Sequence, residues 1–154
     1  LDREKRKVVQ DLLIPLDNMC DYIETTKNIC NIYPIWLCPI RTFKNDNVSL
    51  FSLPSDNSIY VDVGIYGGWD KENDINGEQD FIIKNKELEW VLKNKGGIKF
   101  LCNMNYYDDE LFWSIYNKQK YDSLKLKYDK KNNLINIYNK VCSFYLACCK
   151  KLNN

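Results

Sequence analysis

Along this 154-residue chain the spacing of apolar positions switches between the period of a strand and the period of a helix. Val8 to Ile14 is a short apolar run with β-branched ends, stopped by Pro15, and predicts a first strand. Asp17 then stands where it can cap a helix reaching about Ile29, with Met19, Ile23 and Thr26 at helical spacing. Tyr33 to Ile40 reads as a second strand. Its prolines, Pro34 and Pro39, cannot donate to a ladder on both sides and so place it at a sheet edge. Thr42 to Asn57 is polar and reads as a loop. The alternation is clearest in a third strand, Ile59 to Tyr66, where Ile59, Val61, Val63 and Ile65 share one face and Tyr60, Asp62, Gly64 and Tyr66 the other. The Gly67-Gly68 pair ends that strand. A second helix follows from about Asp80 to Lys95, with Phe81, Leu88, Val91 and Leu92 in one stripe and Gly96-Gly97 as its stop. Ile98 to Asn103 makes a fourth strand.

The order βαββαβ predicts an α+β fold of the ferredoxin-like kind. Its antiparallel sheet has strands one and three in the middle, both helices on one face and the other face open. A helical extension follows. Asp108 caps a segment with Leu111, Phe112 and Ile115, a second segment runs from about Lys120 to Tyr128, and a third from about Asn132 to Lys151. The third carries a stripe of Leu134, Ile137, Val141, Tyr145 and Cys148, expected to pack on its own domain, with a partner-binding helix as the alternative. No linker divides the chain, so residues 1–154 are expected to form one domain, with the βαββαβ unit over about 8–103 and the extension over about 108–151.

Composition narrows the chemistry. Hydrophobic residues at 45% and charged residues at 28% exclude a disordered chain. A net charge of +1, from 22 basic and 21 acidic residues, gives no overall field for nucleic acid or an anionic membrane, so neither contact is expected. The absence of histidine removes the commonest general base, the Ser-His-Asp arrangement and most zinc sites. The seven cysteines include no C-x-x-C pair and read as reduced thiols, buried as small hydrophobes in a reducing intracellular compartment, with no metal framework. Gly64, Gly67 and Gly68 match neither phosphate-binding spacing, so another domain must hold most of any nucleotide or flavin. The chain opens on a charged run, Leu1 to Lys7, that leads straight into a strand without an initiator methionine. It is expected to come from the middle of a longer enzyme and not to be a complete catalyst alone.

The face of strand three opposite the helices concentrates the candidate chemistry. Tyr60, Asp62 and Tyr66 surround the bare backbone of Gly64, strand two adds Trp36 and Cys38, and strand one offers Asp11. The parity of Asp11 stays open because Gln10 is its neighbour. A carboxyl at mid-sheet beside phenols suits proton donation or substrate orientation once a cover excludes water. The same groups also suit hydrogen bonding across a domain interface. Phe112, Trp113 and Tyr116, like Phe144 and Tyr145, read as core packing, and Cys148-Cys149 near the terminus suggests no redox role.

The string Tyr33-Pro34-Ile35-Trp36-Leu37-Cys38-Pro39, followed by Ile59-Tyr60-Val61-Asp62-Val63-Gly64-Ile65-Tyr66-Gly67, resembles the C-terminal region of the delta-24 sterol reductases, the plant diminuto-like and animal seladin-like proteins. The resemblance extends to Val9-Gln10-Asp11 through Pro15, to Leu88-Glu89, to Glu110 through Trp113, and to Tyr121, Leu124, Lys127, Tyr138 and Lys140. That family is of the vanillyl-alcohol-oxidase type, in which an N-terminal domain binds FAD and a C-terminal cap lies over the flavin ring. The resemblance implies that this chain is the cap and that its partner is the FAD-binding domain of the same polypeptide. It also implies that the parent moves a hydride from NADPH through FAD to a sterol side-chain double bond, and that an N-terminal segment anchors the parent in the endoplasmic reticulum. Asp62, Tyr60 and Tyr66 are then the candidate catalytic residues, and Tyr33, Trp36, Cys38, Asp11 and Gly64 face substrate or flavin. Cys102, Asn103 and Met104, the loop Gly68 to Asn76 and the run from Asn117 depart from the family pattern. These departures leave the substrate open between a sterol, another lipid-like molecule and a polar one. The competing readings are a ferredoxin-like interaction or ligand-binding domain without catalysis, and a degenerate flavoprotein relative without turnover.

Overall fold

The computed structural model describes residues 7–42, 58–68 and 77–142. Most of the expected loop between Thr42 and Asn57, the pairs Phe144-Tyr145 and Cys148-Cys149, and the end of the third extension helix lie outside the described residues. The elements are β1 (Lys7–Pro15), α1 (Met19–Ile29), β2 (Ile35–Arg41), β3 (Ile59–Gly68), α2 (Gly77–Asn94), β4 (Ile98–Lys99), α3 (Asp109–Ile115), α4 (Lys118–Tyr128) and α5 (Ile137–Val141). The four strands form one antiparallel sheet in the order β2-β3-β1-β4. This is the expected α+β, ferredoxin-like arrangement, with strands one and three in the middle and the proline-bearing β2 at an edge.

Register decides which residues meet the helices. Leu12 stands opposite Val63 and Ile14 opposite Val61. With Val8 and Ile65 they form a back face packed against Tyr22 and Ile29 of α1 and Phe81, Leu88 and Leu92 of α2. Fully burying one such side chain contributes about 1.5–3 kcal/mol, and this layer holds the helices to the sheet. Gln10 shares the face and is buried, with its amide donating to Asn85 Oδ1 at 2.7 Å. Asp11 therefore points to the front.

The front is not fully open. Leu13 of β1, Tyr60 of β3 and Ile98 of β4 are buried beneath Phe112 and Tyr116 from α3 and its end, and beneath Tyr138 and Val141 of α5. Among the described residues the helical extension thus seals one half of the front and leaves the other half, where Trp36 and Tyr66 are exposed, without a cover. Because both faces are covered at that end, Leu12, Leu13 and Ile14 are all fully buried, and β1 reads as a continuous apolar run there.

Several boundaries differ from expectation for local reasons. Asp17 does not cap α1: residues Leu16–Asn18 form a 3-10 turn, and the cap position falls to Asn18, which makes no side-chain capping bond. α2 begins at Gly77, three residues before Asp80. β4 is two residues long instead of running to Asn103, although the Phe100 N–H still donates to the Asp11 carbonyl at 3.0 Å. The chain turns away there because Lys99 is drawn inward. Its ammonium sits 2.6 Å from Glu89 Oε1, with both side chains fully buried, and it also reaches the carbonyl of Met104. The second Glu89 oxygen accepts the Tyr106 N–H at 2.9 Å, so the pair is both charge-matched and hydrogen-bonded. No continuous helix starts at Asn132. Asn132 adopts φ 52° and the Asp129 carboxylate takes the N–H groups of Asn133 and Leu134, which fixes a turn, and α5 begins only at Ile137.

Candidate functional site

β1 and β3 place the site's polar groups by register. Asp11 lies opposite Gly64, and Asp62, two residues away on β3, lies opposite Leu13. Asp11 and Asp62 are therefore diagonal neighbours on one face, within electrostatic reach. From the other side β2 puts Trp36 opposite Gly64 and Cys38 opposite Asp62.

Gly64 is small for a reason. A Cβ there would lie 2.6 Å from Cε2 of Tyr66 and 3.0 Å from Cβ of Trp36. The missing side chain lets the Tyr66 ring lie back over the strand, so that its hydroxyl donates to Asp11 Oδ1. The second Asp11 oxygen accepts from the Cys102 thiol at 2.7 Å. Asp11 is thus the common acceptor for a phenol and a thiol brought from 55 and 91 residues away.

The three polar side chains on this face of β3 differ in exposure. Tyr60 is buried under the extension, Asp62 is half-buried at its edge, and Tyr66 is exposed. Partial burial first, then the nearby Asp11 charge, pushes the Asp62 carboxyl up to about 6, and a hydrogen bond from the Leu12 backbone pulls it partly back. One Asp62 oxygen, Oδ1, is buried without a hydrogen-bond partner. Desolvation, followed by the hydrogen bond to Asp11, drives the Tyr66 phenol well above its ordinary range. The same two causes take the Cys102 thiol up to about 11. Near neutral pH, Asp62 exchanges a proton while Tyr66 and Cys102 keep theirs.

The structure therefore brings together Asp62, Gly64, Tyr66, Trp36 and Cys38, and adds Asp11, whose parity the sequence left open. Tyr60 shares their parity but is separated from them by burial in the aromatic cluster of Phe112, Tyr116 and Tyr138, so a role in contact with a ligand on the open half does not fit its position. Tyr33 is exposed just before β2, beside a cis bond to Pro34. Cys102 joins the site without a signal in its local sequence, and Asp11, Phe100, Leu101 and Cys102 line a shallow hollow beside the pair. The five described cysteines are free thiols. Of these only Cys142 is buried, which corrects the expectation of buried thiols, with Cys20 and Cys102 exposed and Cys30 and Cys38 between. Among the described residues no cluster of three or more Cys, Asp or Glu could hold a metal ion, and no helix is long and apolar enough to cross a membrane. The open half offers flat aromatic surface from Trp36 and Tyr66 beside a carboxyl, a surface for a ring system or an apolar ligand. Among the described residues it offers no glycine-rich phosphate cradle.

Comparison with known proteins gives one consistent answer. The chain is 28% identical over 151 residues to the Delta(24)-sterol reductase of Mus musculus and 27% identical over 141 residues to that of Homo sapiens, in both cases over 90% of this chain. It is 26% identical over 148 residues to the Delta(24)-sterol reductase of Arabidopsis thaliana, over 86% of this chain. In each case the chain spans about a quarter of the relative's length, 26%. No protein-family model matches the chain, and no solved structure does. The resemblance seen in the two strand motifs thus extends to Delta(24)-sterol reductases across most of the chain.

Proposed function

We propose that this chain is the cap domain of an FAD-dependent oxidoreductase of the delta-24 sterol reductase kind, with the uncovered half of its front face lining the substrate pocket over the flavin. The similarity to Delta(24)-sterol reductases over 86–90% of the chain supports the family assignment. The observation that carries the cap role is the half-sealed front, where a proton-exchanging carboxyl sits between a dry aromatic core and an exposed aromatic surface. Reduction of an isolated double bond adds a hydride and a proton, and demands a dry, apolar pocket. FAD, held by the FAD-binding domain of the same polypeptide and reduced by NADPH, would supply the hydride. This chain's part is to orient a sterol or similar lipid-like substrate against Trp36 and Tyr66, exclude water, and hold the proton at Asp62. Asp11 and Tyr66 fix the neighbouring charge, and the parent protein is anchored in the endoplasmic reticulum through a segment outside this chain.

The test is expression of the chain with its upstream sequence. A flavin absorption spectrum and NADPH-dependent reduction of a sterol side chain are expected, and Asp62→Asn is expected to slow reduction more than substrate binding. A colourless protein with an intact upstream domain would instead favour a non-catalytic interaction module. Flavin binding without turnover would identify a degenerate relative.

A further inference from the structure

The segment joining α4 to α5 is built to hold apolar side chains in water. Lys125 Nζ donates to Asp129 Oδ2 at 2.6 Å and to the Leu134 carbonyl at 2.8 Å. The Asp129 carboxylate in turn accepts the N–H groups of Asn133 at 2.7 Å and Leu134 at 3.0 Å. This network fixes the turn, and the turn presents Leu134 and Ile135 at 68% and 70% exposure, beside Tyr128 at 73%. Together with Leu124 and Ile137 they line a mainly apolar cleft of about 590 Å³.

Charge is concentrated at the same place. Residues 118–140 hold seven lysines and two aspartates, a net charge of +5, so the remainder of the chain carries −4. Both aspartates are paired, Asp122 with Lys118 and Asp129 with Lys125, each at 2.6 Å. Lys127 lies over the Tyr128 ring, and Lys130 and Lys131 are exposed on the turn itself. The overall charge of +1 averages this patch away, so the expectation of no membrane contact drawn from it says nothing about the patch.

We propose that the tip formed by the end of α4, the 129–136 turn and the start of α5 docks on an anionic lipid surface, with Tyr128, Leu134 and Ile135 entering the interface and Lys127, Lys130 and Lys131 meeting the headgroups. Apolar side chains ringed by lysines match the two attractions that hold a peripheral protein on a bilayer, apolar burial and attraction to anionic lipid. An aromatic ring with a polar end sits well at headgroup depth. Protein interfaces are depleted in lysine and enriched in arginine, and residues 118–140 contain seven lysines and no arginine, which favours lipid over a protein partner. The inference does not depend on flavin chemistry.

The test is sedimentation of the 154-residue chain with vesicles of phosphatidylserine and phosphatidylcholine, compared with vesicles of phosphatidylcholine alone. Binding is expected to the mixed vesicles only, and to weaken with added salt. The pair Lys130→Glu and Lys131→Glu is expected to lower affinity roughly tenfold or more. The pair Leu134→Ser and Ile135→Ser is expected to do the same, on the order of tenfold, with the melting temperature unchanged. Equal binding to both vesicle types, no binding to either, or indifference to both double variants would overturn the proposal. Binding that appears only after truncation beyond Cys142 would assign the cleft to the chain's own tail and would overturn it as well.

Discussion

Asp62→Asn should stabilise the chain, and only above acidic pH. The carboxyl ordinarily titrates at 3.8 and is held here at about 6. A carboxyl raised in the folded state binds its proton more tightly there than in the unfolded chain. Its contribution to stability is therefore fully present below about 4 and is lost as pH rises through 6. At 1.36 kcal/mol per decade the difference amounts to about 3 kcal/mol. Solvent reaches this face, and screening reduces the figure to about 1–2 kcal/mol. Asparagine keeps an acceptor for the Leu12 N–H and has no charge to desolvate. The variant should therefore gain about 1–2 kcal/mol at pH 7 and nothing at pH 4. For a chain of this size, at about 2–4 °C per kcal/mol, that gain raises the melting temperature by roughly 2–8 °C. Thermal melts of both proteins at intervals from pH 4 to pH 7 read the effect as a difference, which cancels the titration of every other group. A pH-independent difference, or a variant less stable than wild type at pH 7, would refute the reasoning. Asp11→Asn offers an internal check, since removing that charge should move the midpoint of the difference curve to lower pH.

Other substitutions probe the supports of the site. Gly64→Ala should leave the fold intact, because the nearest atom belongs to the movable Tyr66 ring. It should break the Tyr66–Asp11 hydrogen bond, so that ultraviolet titration finds the Tyr66 phenol closer to its ordinary range. Lys99→Met strands Glu89 in the core and should cost about 3–5 kcal/mol in denaturant unfolding. Adding Glu89→Gln to it should recover most of that loss, because the amide oxygen still accepts from Tyr106. Gly97→Ala drives a Cβ to 2.7 Å from the Leu13 carbonyl and 2.3 Å from Leu92. It should cost about 1–3 kcal/mol, read as a lower urea midpoint with an unchanged slope.

Sequence reading succeeds where one residue type faces one environment. β3 alternates cleanly and its two faces follow from its sequence, as does the edge position of β2 from Pro39. It stalls at Gln10 and Asp11, because a buried amide on the core side defeats a rule that sorts polar from apolar. The Asn85 partner that resolves the case lies 75 residues away. Tyr60 shows the same limit: its parity is right, but helices far along the chain cover it. The buried pair of Lys99 and Glu89 has only a faint signal, a lone lysine in an apolar strand and a glutamate beside Leu88 on the helix stripe. The consecutive asparagines Asn132 and Asn133 carried the turn signal that a helical reading of this stretch passes over.

The partial seal over β3 confines a titrating carboxyl to one seat on that face. Two residues toward the seal, position 60 lies in the dry aromatic cluster, where an acid would hold its proton harder. Two residues the other way, position 64 leaves no room for a side chain, and beyond it position 66 lies against the Asp11 carboxylate. The acidity of this surface is therefore retuned through what surrounds position 62 and not by relocating the acid along the strand.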